Sequence, residues 1–359
     1  MNLKDLLYKE YRDYYEILAK KDLDILYQEI SFLEPFFKCR SLSRLSGVSY
    51  FCEVDYNKIK THKTKTRYSR LNHSLACAIM IWTHTNNKCE TILALLHDIN
   101  TPVFSHAVDY VFKDFIIQES SKRDIKKVIE SDKELKLLLK NENINYSNLN
   151  LAHHFLIDCD RPKLCVDRLD SIFASNLFWS GEKNLDQLKY LYQDVTILLN
   201  EQNHLEFGFK NLISASVCYD WNELFSKKAE TKEDKLALSL LGDIILYGIK
   251  ERIYTMDDIY EKEEQEIIEM VKKSNCKKLK EYLNYFANLS YVYTSSSKQD
   301  EYYNVKITTK KRNIDPLFSG LFGTNRLLEV SENYLLRNLI YNNEEENHYS
   351  YVKIAPLSK

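Results

Sequence analysis

Apolar side chains recur at helical spacing through most of this chain. Leu6, Leu7, Tyr11, Tyr15 and Leu18 fall near every third or fourth position, so residues 3–34 read as one or two helices. PFFKCRSLSRLSGVSYFCE at 35–53 reads as a helix and a turn. Residues 71–86 and 89–98 read as a helix pair separated by the turn-like THTNNK, and Pro102 suits the first turn of a helix over 102–113. Residues 120–140 read as one long charged amphipathic helix, NENINYSNLN at 141–150 as a polar connection, and 164–180 as another helix. Helical spacing continues over 184–201, 209–227, 233–252, 257–273 and 276–288. Beyond 290 the period changes. YVYTSSS and YYNVKITTKK alternate and carry β-branched and aromatic residues, which predicts a hairpin or small sheet, joined by a strand near 349–354. The pattern therefore predicts a mainly α fold with a small β-rich C-terminal element. We divide it into an N-terminal helical segment (1–34), a core (35–180), a helical extension packed on it (181–289) and the β-rich element (290–359).

Composition sharpens this picture. Only 7 Gly and 5 Pro interrupt 359 residues, which suits long helices, and 26 Tyr with 16 Phe supply core volume. A net charge of −2 gives no global basic field for nucleic acid or an anionic membrane. The N-terminus lacks the apolar core of a signal peptide, and no run approaches the ~18–20 apolar residues of a membrane span. Eight cysteines show no C-x-x-C pair and read as reduced, buried thiols of a cytoplasmic protein. The acidic run at 261–269 reads as a solvated helix face. The segment 54–70, with Lys58, Lys60, Lys63, Lys65, Arg67 and Arg70, reads as a basic loop able to attract phosphate, or as a merely solvated one.

The chemistry concentrates at His73, His97, Asp98 and Asp167. His97 and Asp98 end the apolar run TILALLHDI, about two turns of buried helix, so the last turn presents both to a shared cavity. Ionisable groups abutting a core need partners. A divalent transition metal, with His73 and Asp167 completing the set, is one; a satisfied polar pair at a helix end is the plainer alternative. His153 and His154 are adjacent on the predicted helix, so at most one could add a ligand, and Cys159 and Cys165 flank the turn before Asp167.

Three segments carry a resemblance. RLNHS at 70–74, LLHDINTPVFSH at 95–106 and VDRLD at 166–170 resemble, in order, the R-x-x-H-S, L-x-H-D-x-G-H-x-P-F-S-H and V-D-[KR]-x-D-Y motifs of the HD-domain phosphohydrolase superfamily, in its dNTP triphosphohydrolase-like branch. The likeness is clearest over 35–180 and extends weakly to VKITTKKRNIDP at 305–316. A bacterial subgroup reading HDIxTPVFSH followed by QES is similar too, and this chain has QES at 118–120. The resemblance implies the HD helical fold and makes His73, His97, Asp98 and Asp167 the ligands of one metal among Fe, Mn, Zn, Ni and Co, with Mg as a companion of a nucleotide substrate. It implies phosphate-binding roles for Arg70 and Arg168, and places His106 near the reacting phosphate. Asn100-Thr101 replaces the usual glycine-histidine, Ser171 replaces a tyrosine, and Ile117-Gln118-Glu119 stands where that branch has Thr-His-Glu. The general acid then falls to Glu119 or His106.

The expected activity is metal-dependent hydrolysis of a small phosphorylated substrate, a nucleotide first, through metal-activated water, with Asp98, His106 and Glu119 in the catalytic set. A homo-oligomer is compatible with this; a membrane partner is not expected. The alternatives are a nucleotide sensor or assembly subunit that keeps the fold without turnover, and, less favoured by the balanced charge, an HD nuclease on single strands. All readings expect the His73, His97–Asp98 and Asp167 helices to surround one cavity, both guanidinium groups to face it, and Asp167 to lie within about 8 Å of His97.

Overall fold

The computed structural model describes residues 2–60, 64–113, 124–146, 154–321, 323–344 and 348–357. It is mainly helical with two small sheets. Its centre is the helix Arg70–Thr85 packed on the helix Lys88–Leu96. Each starts where a side chain satisfies an orphan backbone donor: Ser69 accepts from the Asn72 N–H at 3.2 Å, and Asn87 from the Glu90 N–H at 3.2 Å. Asn86, in the left-handed region, ends the first helix. Residues Leu75 to Ile81 of this helix are buried without exception, so it is apolar all round rather than striped. The N-terminal helices Leu3–Tyr8, Arg12–Ala19 and Leu23–Ile30 cover one side of it, and the Asn72 amide donates to the buried Tyr15 hydroxyl at 3.0 Å. The helix Lys232–Lys250 packs against the short helix Ala107–Val111. A Cβ at Gly242 would stand 2.7 Å from the Ala107 carbonyl oxygen, so this approach requires glycine.

Several segments depart from the periodicity. Residues 184–201 are only half helical: Leu185–Tyr192 gives way to strand β1 (Val195–Leu199), which pairs antiparallel with β2 (Leu205–Phe209). The β-branched run Val195-Thr196-Ile197 and the Asn200–Asn203 turn override the helical spacing there. The C-terminal region holds β3 (Tyr293–Ser295), β4 (Tyr303–Lys306), β5 (Leu317–Gly320), β6 (Gly323–Arg326) and β7 (Tyr349–Val352). Strands β3-β7-β4 form one antiparallel sheet, whereas the β5–β6 hairpin adds to the earlier pair in the order β1-β2-β5-β6, with β2 and β5 parallel. This region also contains the helix Glu332–Asn343, which the alternation did not signal.

Two long predicted helices divide. Asp132 breaks the 120–140 stretch and caps Lys133–Asn141 through the Leu135 N–H at 3.0 Å, after the helix Ile125–Ser131. The 257–273 stretch splits into Met256–Glu261 and Glu264–Lys273. The 102–113 helix shrinks to Ala107–Val111, because Phe104 and Ser105 take left-handed backbone angles (φ 58° and 44°). No helix among the described residues is long and apolar enough to cross a membrane. All eight cysteines are free. Cys89 is exposed, contrary to the buried-thiol expectation, and Cys159 and Cys276 are half-buried.

Candidate metal centre

Three helix ends meet at one place. The first turn of Arg70–Thr85 presents Arg70 and His73, three residues apart and therefore on one face. The chain leaving Lys88–Leu96 presents His97 and Asp98. The first turns of Val166–Ala174 present Asp167 and Asp170, again three apart.

His73 is fully buried, and its Nε2 lies 3.2 Å from His97 Nε2, 3.0 Å from Asp167 Oδ1 and 3.9 Å from Asp98 Oδ2. His97 Nε2 lies 3.8 Å from Asp167 Oδ1 and 4.0 Å from Asp98 Oδ2. Donors bound about 2.1 Å from one ion stand about 3.0 Å apart at right angles and about 3.4 Å apart at tetrahedral angles. The His73–His97 and His73–Asp167 pairs match these spacings, whereas the Asp98 pairs and His97–Asp167, at 3.8–4.0 Å, are wider. The remaining ring nitrogens are already engaged: His73 Nδ1 lies 2.6 Å from Asp170 Oδ2, and His97 Nδ1 lies 2.7 Å from the Ala94 carbonyl. With a proton on each Nδ1, both Nε2 lone pairs face the shared space, the arrangement that metal-binding imidazoles use. The chemistry of this donor set fits a divalent transition metal.

Asp170 is the residue the sequence reading missed. Its buried carboxylate accepts from His73, from the Tyr14 hydroxyl and from the Tyr68 hydroxyl at 3.2 Å. The D-x-x-D spacing of VDRLD was the available signal. Asp167 is more open, its side chain 36% exposed toward the cavity. Burial opposes ionisation of Asp167, but when His73 and His97 also carry a proton on Nε2, their hydrogen bonds and charges outweigh it and hold this carboxyl well below the usual range. Asp98 is buried and accepts from Arg70 Nη1 at 2.8 Å and from the Thr101 hydroxyl at 3.1 Å. Thr101, one of the departures from the family pattern, thus orients a candidate ligand. Cys77, one turn beyond His73, brings its sulfur within 3.8 Å of His73 Nε2, and Asp158 and Cys165 place donor atoms within 4.8 Å of Asp167.

The centre opens into a cavity of about 580 Å³ lined by Arg70, Asp98, His106, Asp167 and Arg168. Both predicted guanidinium groups line it, in different ways. Arg70 is ion-paired to Asp98, donates to Ser105 Oγ at 3.1 Å and lies over the Tyr50 ring. Arg168 forms no ion pair with Asp160 or Asp170 among the described residues. It donates to the carbonyls of Cys159 (2.9 Å) and Lys163, and its buried Nε has no partner. Tyr50 lies tilted against His73 with ring centroids 4.5 Å apart and bonds the Ser171 hydroxyl, so an aromatic ring reaches the position from an unexpected segment. His106 pairs through Nδ1 with Asp109 at 3.0 Å. Phe104 and Ser105 take left-handed angles beside the buried carboxyl of Glu264, which accepts from the Phe104 N–H at 2.8 Å and the Ser49 N–H at 3.0 Å.

Other candidates fall elsewhere. His154 pairs with Glu90 at 2.8 Å, away from the four donors. Glu119, Gln118 and His153, like His62 and Lys63, lie outside the described residues. Among the described residues of the basic segment 54–70, Arg70 alone lines the cavity: Lys58 reaches Asn288, Lys65 reaches the Gly181 carbonyl, and Arg67 faces Asp55 and Glu264. The cavity's further cations come instead from Arg161, Lys163, Lys310 and Arg312.

No family model and no curated protein matches this sequence. Solved structures do resemble the fold. A protein described as a phosphohydrolase from Bacteroides thetaiotaomicron superposes with a TM-score of 0.55 at 13% identity, over 88% of this chain and 94% of that one. A hypothetical protein from Aquifex aeolicus superposes with a TM-score of 0.59 at 13% identity, over 89% of this chain and 91% of that one. At such identities the likeness is one of fold.

Proposed function

We propose that this protein, which shares its fold with one described as a phosphohydrolase, is itself a metal-dependent phosphohydrolase of small phosphoesters, a nucleotide being the first candidate. His73, His97, Asp98 and Asp167 are the proposed ligands of one divalent transition metal. The observation that carries the reading is the convergence of these donors at 3.0–4.0 Å, with both Nδ1 atoms engaged by second partners. A metal bound there supplies an acidified water and polarises a phosphoryl oxygen.

The protein's own residues do the rest. Asp170 fixes the tautomer and the plane of His73. Arg70, braced by Asp98 and Ser105, and Arg168, braced by carbonyls, present positive charge where phosphoryl oxygens gather charge in the transition state. His106, whose Nδ1 pairs with Asp109, and Glu119, on sequence grounds, are the two candidates to pass a proton to the leaving group. The cavity volume suits a nucleotide-sized ligand, for which ~300–1,000 Å³ is usual. A magnesium ion would accompany a nucleotide polyphosphate.

The test is a purified protein of measured metal content, screened against nucleotides and generic phosphoesters. Arg168→Ala should lower kcat/KM at least about tenfold while metal content stays unchanged. Unchanged kcat/KM in both Arg168→Ala and Arg70→Ala would contradict the phosphate role. A second reading, a ligand-binding sensor without turnover, is favoured by Gln118 and Ser171 standing where the resembled branch has histidine and tyrosine. It predicts nucleotide binding with no product released.

A further inference from the structure

Beyond Arg70, the cavity wall carries a group of cations that the motifs do not announce. Arg161 and Lys163 come from the loop before the Val166–Ala174 helix, and Lys310 and Arg312 from the segment leading to β5. The two segments are tied together: Arg161 Nη1 donates to the Asn313 carbonyl at 3.2 Å, and the Asp315 N–H donates to the Pro162 carbonyl at 2.9 Å. Arg161, Arg168 and Arg312 stand close enough for their charges to act on one another. Burial, then the charges of Arg168 and Arg312, depress Arg161 to about 9.

Among the described residues none of these three guanidinium groups forms an ion pair. Arg161 is held by the Asn313 carbonyl, Arg312 by the Lys310 carbonyl at 3.3 Å and by the face of Phe225, and Arg168 by two carbonyls and the Cys159 thiol. Carbonyls fix a guanidinium in place without cancelling its charge. Asp158 and Asp160 line the same cavity and soften the field. By contrast Lys311, between two cavity-lining cations, turns away to Glu230 at 3.2 Å. Like charges fixed side by side at a half-buried wall are unfavourable unless an anion joins them.

We infer that Arg161 and Arg312, with Lys310, form a second anion subsite, so that the substrate carries a phosphate-like group in addition to the one hydrolysed at the metal donors. The inference rests on the phosphohydrolase reading for the words "substrate" and "hydrolysed"; the anion subsite itself does not need the metal. It narrows the substrate class from any phosphomonoester to small molecules with two or more anionic groups.

The test is calorimetric titration of inorganic phosphate, and separately of tripolyphosphate, into the full-length protein stripped of metal with a chelator, at fixed ionic strength. Wild type should bind saturably. Arg312→Gln and Arg161→Gln should each weaken binding about tenfold, the scale of one lost charge-assisted hydrogen bond, while Arg312→Lys retains part of it. Arg161→Gln, on the other segment, decides the matter if Arg312→Gln does not fold. Tighter binding of tripolyphosphate than of phosphate marks a continuous phosphate chain, and equal binding marks a separate group; both support the subsite. Absence of saturable binding in wild type, or unchanged affinity in the glutamine variants, overturns it. Because the measurement is made without metal, failure of the metal assignment leaves its outcome readable, and the reverse holds.

Discussion

His73 sits between two carboxylates of one helix turn: Asp167 faces its Nε2 and Asp170 its Nδ1. That geometry separates two roles that look alike in VDRLD. Asp170 is buried, takes two tyrosine hydroxyls as well, and orients the imidazole; Asp167 is open to the cavity and can join a metal. Asp170→Asn should therefore leave the four donors in place yet lower metal affinity roughly 10–100-fold, as loss of an orienting partner does. Competition with a chelating indicator would show it, and unchanged affinity would reduce Asp170 to a packing role. At this scale the sequence was most informative where chemistry and spacing coincide. That His73, His97, Asp98 and Asp167 come together was legible; their role as metal ligands is the proposal. Tyr50 was not legible, because it reaches the site from a segment with no periodic signal, and Thr101 was legible only as a departure.

Elements dock through titratable side chains, and this sets the pH response. His84, near the end of the Arg70–Thr85 helix, packs edge-on against Tyr192 and Phe207, ring centroids 5.8 and 5.4 Å away. Burial first, then Lys20 and Lys210, lowers its pKa from 6.5 to about 4. A depressed histidine binds its proton in the unfolded state first, so its contribution to stability is lost as pH falls from 6.5 toward 4. Glu264 has the opposite sign. Burial raises it from 4.5 to about 7 despite three hydrogen-bond donors, so the folded state holds the proton more tightly and stability falls as pH rises through that window. Between pH 4.5 and 6.5 the two effects oppose each other. Denaturant titrations of wild type beside Glu264→Gln isolate the Glu264 slope: the stability of wild type relative to the variant should decline with rising pH by about 2–3 kcal/mol across that window. A pH-independent difference would contradict the assignment. Strand β1 escaped the sequence reading because a five-residue strand beside an amphipathic helix extends its apolar spacing by chance, and β2 fell in the stretch left between two predicted helices; the β-branched run and asparagine turn were the overlooked signals.

For the whole molecule, the C-terminal region is built into the body rather than appended to it. Strand β5 pairs with β2, and the hairpin is pinned where Arg326 meets the buried Glu206 at 2.7 Å. Arg326→Leu leaves that carboxylate unpaired and should cost about 3–5 kcal/mol, with Glu206→Leu/Arg326→Leu recovering most of it; urea unfolding of the three proteins checks this. The sequence announced β3, β4 and the β7 that joins them, but not the β5–β6 hairpin or its pairing with β2, since pairing between distant strands leaves no local trace. The same long-range closure carries Lys310 and Arg312 to the cavity. The central claim is that three helix ends assemble one metal centre. Elemental analysis of the purified full-length chain beside His97→Ala and Asp98→Ala tests it most directly. The account predicts about one transition-metal ion per wild-type chain and less than about a tenth of that in each variant; full occupancy in both variants, or a folded wild type that holds no metal after growth in metal-replete medium, would contradict it.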